Sequence, residues 1–247
     1  MVLLAARLRW LSVSGAVAAF VVGWVTLAAG GLRAAGVLLT FFVTSSALSR
    51  WRAERKRRME TLTARGAQRG AVQVFANGGV ATLCVALYGL TGDTHWWLAF
   101  VGAYAAANAD TWSSEVGMLS RMPPRHILTG RLLRAGDSGG VTPVGLLAGC
   151  AGSAAVAGAA WLAYPVPLQQ VLAIALGGIV GNLLDSVLGG TLQARYRCVR
   201  CGEVVERREH CGAPAQHIAG WRWINNDMVN LLCTLAGGAV GAGFAYP

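Results

Sequence analysis

The chain is 247 residues long, and 55% of its residues are hydrophobic while only 13% are charged, which is about half the usual charged fraction of soluble globular domains. The mean hydropathy of +0.50 and several apolar runs of about 20 residues exclude a soluble globular protein and predict one integral membrane domain over residues 1–247. The net charge of +10 would suit a nucleic-acid-binding protein, but the positions of the charges exclude nucleic acid as a partner.

Seven apolar runs predict an all-α bundle of about seven transmembrane helices. They cover approximately residues 10–29, 32–49, 71–90, 95–110, 141–163, 168–190 and 224–245. No clear Ala-x-Ala cleavage site ends the first run, so we expect it to be retained as a helix rather than removed as a signal peptide. A Gly-Gly turn joins the first two runs, and the turn at 164–167 joins the fifth to the sixth.

Three longer polar segments separate the runs, at 50–70, 111–140 and 191–222. With the N-terminus in the cytoplasm all three are cytoplasmic, and together with the N-terminus they hold every Lys and Arg residue except Arg33. The positive-inside rule therefore predicts this orientation, in the cell's inner membrane. The segment 50–70 is strongly basic, so it is expected either to rest on anionic lipids as a juxtamembrane helix or to be a solvated loop that sets the topology.

Four of the runs place small or polar residues on one helix face, at every fourth position. These stripes are Gly102, Ala106, Asp110 and Ser114; Gly145, Gly149, Ser153 and Ala157; Gly177, Gly181, Asp185 and Gly189; and Asn226, Asn230, Thr234 and Gly238. Small residues let membrane helices approach closely, so the polar members are expected to face the inside of the bundle. The amides and hydroxyls there could simply join helices.

Asp110 and Asp185 have no Lys or Arg within their own runs. An isolated carboxylate at this depth is costly, and Mg²⁺ prefers carboxylate oxygens, so both acids predict a bound Mg²⁺. Glu115 closes the same segment as Asp110, five residues later, and we include it as a third Mg²⁺ ligand. It reaches the same ion only if the helix unwinds near Thr111; otherwise the two acids serve different ions.

The segment Gly136-Asp-Ser-Gly-Gly140 precedes the fifth run. A glycine-rich turn at a helix N-terminus offers backbone N–H groups to phosphate, although an ordinary flexible turn has the same composition. Arg125, Arg131 and Arg134 stand just before it, where they either clamp phosphate groups or only set the topology. No G-x-x-x-x-G-K-[ST] sequence is present, which excludes a P-loop mechanism.

Cys198-x-x-Cys201 followed by His210-Cys211 has the ligand types and spacing of a tetrahedral, structural Zn²⁺ site. The predicted cytoplasmic location argues against a disulfide. His217 is the alternative fourth ligand at this point. The other three cysteines lie inside apolar runs and are expected to pack there.

The motifs N-A-D-T-W-S-S-E, G-D-S-G-G-V, G-N-L-L-D-S-V-L-G, H-I-A-G and N-N-D-M-V-N occur in that order, after A-N-G-G-V at 76–80. This series resembles the membrane family of transmembrane protein 19 and plant phytyl-phosphate kinase, over roughly residues 70–240. The plant member phosphorylates an isoprenoid monophosphate. The resemblance implies a Mg²⁺-dependent lipid-phosphate kinase that uses CTP or ATP, and CTP is favoured because the family is distantly similar to CTP-dependent polyprenol kinases.

The resemblance also assigns His217 to the active site and His210 to Zn²⁺, because the eukaryotic members carry His-x-x-Gly without the cysteines. The predicted catalytic residues are Asp110, Glu115, Asp185 and His217. The predicted substrate- and phosphate-binding residues are Asn77, Asn108, Arg125, Arg131, Ser138, Gly139, Gly140, Ser186, Asn226, Asp227 and Asn230.

The expected partners are an isoprenoid lipid phosphate, a nucleotide and anionic membrane lipids, and a homodimer is left open. An ion-coupled transporter or lipid scramblase is the alternative, because intramembrane acids can bind a proton or a cation. A zinc-dependent scaffold is a third reading, but it gives Asp110 and Asp185 no role.

Overall fold

A computed structural model describes residues 11–51 and 69–243. Within them the chain is mostly helical. Its helices are α1 (Val13–Arg50), α2 (Ala71–Thr91), α3 (Thr94–Gly117), α4 (Pro143–Ala163), α5 (Leu168–Thr191) and α6 (Asn226–Ala242). Four of these described helices, α1, α2, α4 and α5, are long and apolar enough to cross a membrane. Most of the predicted basic segment 50–70 lies outside the described residues.

Helix α1 covers the first two apolar runs but is broken between them. Gly31 has φ 64° and ψ −160°, which are not helical values. This left-handed conformation is accessible to glycine at little cost, so the break falls at the predicted Gly-Gly turn. Each half of α1 is about as long as the other apolar helices.

The two halves of α1 run in opposite directions. The first half runs parallel to α2, because Gly15 packs against the carbonyl of Arg69 before α2, and Gly30 packs against Val85 near its end. The second half runs parallel to α3, with Thr44 Oγ1 donating a 3.0 Å hydrogen bond to Asn108 Oδ1. Helices α2 and α3 are antiparallel neighbours joined by a short turn, so α1 is a helical hairpin.

Helix α3 is the centre of the bundle. Every residue from Trp97 to Asp110 is buried, and α3 contacts each of the other five described helices. A helix surrounded by protein does not face lipid, which explains why α3 carries polar side chains and is less apolar than the four candidate spans.

The predicted small-residue stripes form the closest helix contacts. A Cβ added to Gly177 of α5 would lie 2.6 Å from the Gly237 carbonyl oxygen of α6, and one added to Gly237 would lie 2.7 Å from the Gly102 carbonyl oxygen of α3. Three helices therefore meet backbone to backbone at Gly102, Gly177 and Gly237, as expected for small-residue packing.

Gly237→Ala is expected to lower the stability of the protein by about 1–3 kcal/mol, because the new methyl group would meet a backbone carbonyl that has no rotamer to adopt. For a chain of this size that is a decrease in Tm of about 2–4 °C per kcal/mol, measurable by tryptophan fluorescence in detergent. Gly158→Ala in α4 is the matched control, since its Cβ would meet nothing within 4 Å. Equal Tm values for the two variants would contradict this packing.

The Cys-rich segment after α5 is a small antiparallel sheet with the strand order β4-β3-β6-β5. Its strands are β3 (Arg195–Cys198), β4 (Val204–Val205), β5 (Glu209–His210) and β6 (Ala213–Ala219), while β1 (Arg125–His126) pairs with β2 (Gly140–Val141) before α4. Buried Ala194, Tyr196 and Val205 form a separate small core under the sheet. The all-α prediction is therefore incomplete, because five of the six strands are only two to four residues long, which is too short to show an alternating pattern.

The two long connections, 118–142 and 192–225, lie together at one end of the bundle, which we call the loop end. Arg134 joins them through a 2.9 Å ion pair with Glu203. Arg33 lies at the opposite end, where its guanidinium stacks over the Tyr164 ring at 5.2 Å. This separation of the connections agrees with the alternation predicted from the sequence.

Candidate functional site at the loop end

Asp110 and Asp185 line the same cavity, a cleft at the loop end that we call the acidic cavity. One turn before them, Ala106 of α3 packs against Gly181 of α5, where an added Cβ would lie only 2.6 Å from the alanine methyl group. Because α3 and α5 run in the same direction, this close approach places the next turn of each helix, with its carboxylate, at one cavity. Asp110 is only 7% exposed.

The glycine-rich turn forms one wall of the acidic cavity, and Ser138, Gly139 and Gly140 are all among its lining residues. Gly139 has φ +80° and packs against Gly190 of α5 so closely that a Cβ could not be accommodated. Any side chain at Gly139 would therefore both strain the backbone and push the turn away from the two acids.

The turn differs from its prediction in one respect, because it is not itself the N-terminus of a helix. Strand β2 and Thr142 follow it, and Thr142 Oγ1 caps α4 by accepting a 3.0 Å hydrogen bond from the Gly145 N–H. The N–H groups of Asp137 and Gly140 already donate to carbonyl groups within the 134–140 segment. The turn therefore forms part of the cavity wall, but it offers a ligand fewer backbone N–H groups than the sequence predicts.

The predicted site residues omit six polar residues that line the cavity, namely Ser113, Ser114, Asp137, Thr142, Asn182 and Glu206. Glu206 reaches it from the turn after β4, and its carboxylate accepts a short hydrogen bond from Ser138 Oγ. Asn182 lines it from α5, three residues before Asp185 and therefore on the same helix face. That spacing could have revealed Asn182, whereas nothing in the local sequence indicates that the sheet carries Glu206 to this position.

Ser186 and Asn226 also line the acidic cavity, as predicted for substrate-binding residues. The donor set is rich in oxygen, with four carboxylates (Asp110, Asp137, Asp185 and Glu206), two side-chain amides and several hydroxyl groups. Such a set fits Mg²⁺, which takes hard oxygen ligands and usually keeps waters or phosphate oxygens among them.

Two of the predicted catalytic residues lie elsewhere. Helix α3 stays regular past Thr111, whose hydroxyl donates to the Ala107 carbonyl at 2.9 Å, so the unwinding that would bring Glu115 to the Asp110 ion does not occur. Glu115 is buried but does not line the acidic cavity. His217 lies in β6 with its ring 5.4 Å from that of Tyr196 and is likewise outside the cavity.

Several predicted phosphate-binding residues are instead engaged in the fold. Asn108 joins helices: besides accepting from Thr44, it donates a 2.8 Å hydrogen bond to the Gly152 carbonyl of α4. Arg125 donates to the Gly130 carbonyl at 2.9 Å within its own connection. The other residues of the predicted set that do not line the acidic cavity are Asn77, Arg131, Asp227 and Asn230.

A second polar cavity, which we call the arginine cavity, adjoins the acidic one. Arg207, Arg208 and Arg222 line it together with Asn225 and Asp227, and it shares Glu206 and Asn226 with the acidic cavity. Acidic and basic groups are thus arranged side by side at the loop end. An anionic group in the arginine cavity would lie next to the carboxylates of the acidic cavity.

The predicted Zn²⁺ ligands come together at the far side of the sheet, where the ligand atoms of Cys198, Cys201, His210 and Cys211 all lie within 4.8 Å of one another. A tetrahedral Zn²⁺ with Zn–S bonds of about 2.3 Å separates two sulfur ligands by roughly 3.8 Å, and the Sγ atoms of Cys201 and Cys211 are 3.8 Å apart. His210 Nδ1 is 3.5 Å and 3.3 Å from these two sulfurs. These distances therefore fit a bound Zn²⁺, with His210 rather than His217 as the fourth ligand.

The thiols of this cluster influence one another. A hydrogen bond from the Cys201 backbone N–H, followed by the His210 side chain, lowers the pKa of Cys198 to about 6. The neighbouring Cys201 thiol raises the pKa of Cys211. The lowered pKa of Cys198 favours its thiolate, the form that binds metal, while a further thiolate beside it needs a cation to offset the repulsion.

Comparison with known proteins places these features in a family context. The family described as integral membrane protein DUF92 matches residues 1–238. Protein PGR of Arabidopsis thaliana is 36% identical over 91% of this chain and 85% of its own length. An uncharacterized membrane protein of Methanocaldococcus jannaschii is 28% identical over 94% of this chain and 85% of its own length.

A further relative, "Protein VTE6, chloroplastic" of Arabidopsis thaliana, is 25% identical over 90% of this chain and 61% of its own length. No solved structure matches the chain. The chain is thus similar along nearly its whole length to proteins of a plant and to a membrane protein of an archaeon, and the acidic cavity lies within the matched region.

Proposed function

The chain belongs to the DUF92 family of integral membrane proteins, and we propose that it is a Mg²⁺-dependent kinase of isoprenoid lipid phosphates. The reaction transfers the terminal phosphoryl group of CTP or ATP to a phytyl, geranylgeranyl or polyprenyl monophosphate. The similarity of its motif series to phytyl-phosphate kinase supports this substrate class.

One observation carries the proposal: carboxylates from α3, α5 and the sheet converge with a glycine-rich turn on one cavity, and that cavity is adjacent to a cluster of arginines. Phosphoryl transfer depends mainly on positioning and on neutralising negative charge. The acidic groups can bind a divalent ion and the basic groups beside them can bind a phosphate. Together they would position the reactants and neutralise their negative charge.

In the proposed mechanism, Asp110 and Asp185 would hold Mg²⁺, and the ion would neutralise charge on the phosphate oxygens of the nucleotide. Asn182 donates a hydrogen bond to the same phosphate groups, while the Ser138 hydroxyl donates its one hydrogen to Glu206 and so joins the glycine-rich turn to the sheet. An oxygen of the lipid monophosphate attacks the terminal phosphorus, the bond to the nucleoside diphosphate breaks, and a lipid diphosphate forms. The attacking oxygen is already anionic, so no strong general base is required and His217 need not enter the cavity.

The membrane arrangement that fits this reaction has seven spans, namely the two halves of α1 and each helix from α2 to α6, with the N-terminus and the loop end in the cytoplasm. The loop end carries the arginines of both long connections, in accord with the positive-inside rule. Nucleotides are available on that side, and Zn²⁺ in the cysteine–histidine cluster would hold the sheet over the cavity.

The alternative of an ion-coupled transporter or scramblase fits less well, because its acids should lie near the bilayer midplane. Asp110 is seven residues before the end of α3, about 10 Å along the helix. In a bilayer spanned by α3, the acids would therefore lie toward one face, close to the loop end, where a cytoplasmic nucleotide could reach them.

Purified protein supplied with Mg²⁺, CTP or ATP, and phytyl or geranylgeranyl monophosphate is expected to form the corresponding diphosphate, which mass spectrometry would detect. EDTA should abolish formation of the product, because the charge on the nucleotide would then be left uncompensated. Absence of turnover over a panel of lipid monophosphates and nucleotides would refute the proposal, whereas stabilisation by cations without any nucleotide effect would favour transport.

A further inference from the structure

A third cavity, of about 300 Å³, lies between the two halves of α1, helix α2 and Tyr104 of α3. We call it the hairpin groove. Its wall is mostly hydrocarbon, from Val22, Leu38 and Phe42 among others. Its few strongly polar side chains, Arg69, Gln73 and Asn77, all belong to the start of α2 or the residues just before it, at the loop end.

The hairpin groove leads toward the catalytic region. Gln73 lines both the groove and the arginine cavity, and Glu206 and Asn226 line both the arginine cavity and the acidic cavity. An apolar channel, a basic cavity and an acidic cavity thus follow one another in space, and each pair shares at least one residue.

We propose that this series is the binding site of a single-chain amphiphile with a phosphate head group: the hydrocarbon tail lies in the hairpin groove and the phosphate lies among Arg207, Arg208 and Arg222. The inference rests on the proposed function for the identity of the ligand as a kinase substrate. The three cavities match the charge pattern of such a molecule, which is apolar at one end and anionic at the other, with its reacting oxygen turned toward the acids.

The groove also has an opening for a lipid. Leu27 and Leu39, one from each half of α1, line it and remain 44% and 40% exposed. In a bilayer these side chains face lipid, so a tail can enter sideways between the two halves of α1 without leaving hydrocarbon. A volume of about 300 Å³ is at the lower limit of ligand-binding cavities, which suits one chain better than a two-chain phospholipid.

Gly23→Leu offers a direct test, because Gly23 lines the groove and a Cβ added there meets nothing within 4 Å. The Cβ has room, so the leucine side chain would extend into the groove and occupy part of it. Gly158→Leu in α4 is the matched control, with the same open surroundings and no place in any of the three cavities. Binding is measured without nucleotide, using geranylgeranyl monophosphate, the uncharged alcohol geranylgeraniol, dimethylallyl monophosphate and inorganic phosphate as separate probes.

We expect the long-chain monophosphate to bind most tightly of the four probes. Gly23→Leu should lower the affinity for it about 10-fold, because the leucine would exclude several methylene groups of the tail from the groove. Gly158→Leu should bind like the wild type, and the short-chain probe should not distinguish the variants. Replacing Arg207 and Arg222 together by glutamine should weaken the monophosphate about 10-fold or more while leaving the alcohol unchanged.

Wild-type affinity in Gly23→Leu, or equal affinity for alcohol and phosphate in the wild type, would overturn the inference even if the protein is a kinase. If the protein is a kinase but the tail does not bind in the hairpin groove, Gly23→Leu would turn over the lipid monophosphate with the same KM as the wild type. The expected binding pattern without turnover would support the inference and refute the kinase. The two proposals therefore fail separately.

Discussion

Asp185→Asn is expected to reduce phosphoryl transfer by about 10³-fold or more, and Asp110→Asn to do the same, with little effect on binding of the lipid phosphate. Asparagine keeps the shape of the side chain but removes the negative charge that would hold Mg²⁺. Each carboxylate lines the acidic cavity from a different helix, so neither can take the place of the other. The measurement is kcat for diphosphate formation as a function of Mg²⁺ concentration, in which the variants should also need more Mg²⁺.

Asp93→Asn is the control, at the opposite end of α3 from Asp110. The backbone N–H of His95, followed by its side chain, lowers the pKa of Asp93, so the same substitution removes one charge there as well. Asparagine caps a helix about as well as aspartate, so activity and Tm should both be retained. If Asp110→Asn or Asp185→Asn kept most of the wild-type activity, the acidic cavity would not be the site of phosphoryl transfer.

The helices could be predicted from the sequence because long apolar runs are a strong signal that does not depend on distant contacts. The break at Gly31 and the stripe through Gly177 and Gly181 are equally local, since glycine patterns directly report turns and close packing. The short strands of the sheet give no such signal. Their register depends on pairing across turns, and β4 and β5 contain only two residues each.

For the site, the sequence indicated which helix faces carry the acids, but not which hydrogen-bond partners each polar side chain has. Asn108 was predicted to bind phosphate, yet its amide is used by Thr44 and Gly152 on neighbouring helices. A single sequence cannot distinguish these two uses of a buried amide. Glu206 was missed for the opposite reason, because it reaches the acidic cavity only through the folding of the sheet.

The second large effect concerns the cysteine–histidine cluster, which includes Cys198 at the end of β3; β3 pairs with β4, and Glu206 directly follows β4. Cys201→Ser is expected to release Zn²⁺ and to lower activity about 10- to 100-fold. Serine cannot replace the thiolate, so the turns bearing Cys198 and His210 would lose their common ligand. Glu206 would then no longer be held against Ser138, while the helical bundle, packed through its own glycine contacts, should remain folded.

Two measurements and two further variants separate this explanation from general unfolding. Elemental analysis should find about one Zn²⁺ per chain in the wild type and none in Cys201→Ser, and far-ultraviolet circular dichroism should show the helices retained in both. Cys150→Ser, at an exposed cysteine of α4 outside the cluster, should keep both metal and activity.

Glu206→Gln should keep the metal yet lose activity, because it removes the carboxylate that holds Ser138 without touching the cluster. Full activity in metal-free Cys201→Ser would show that the sheet does not position the catalytic region, and Zn²⁺ loss in Glu206→Gln would mean that the two sites cannot be separated in this way.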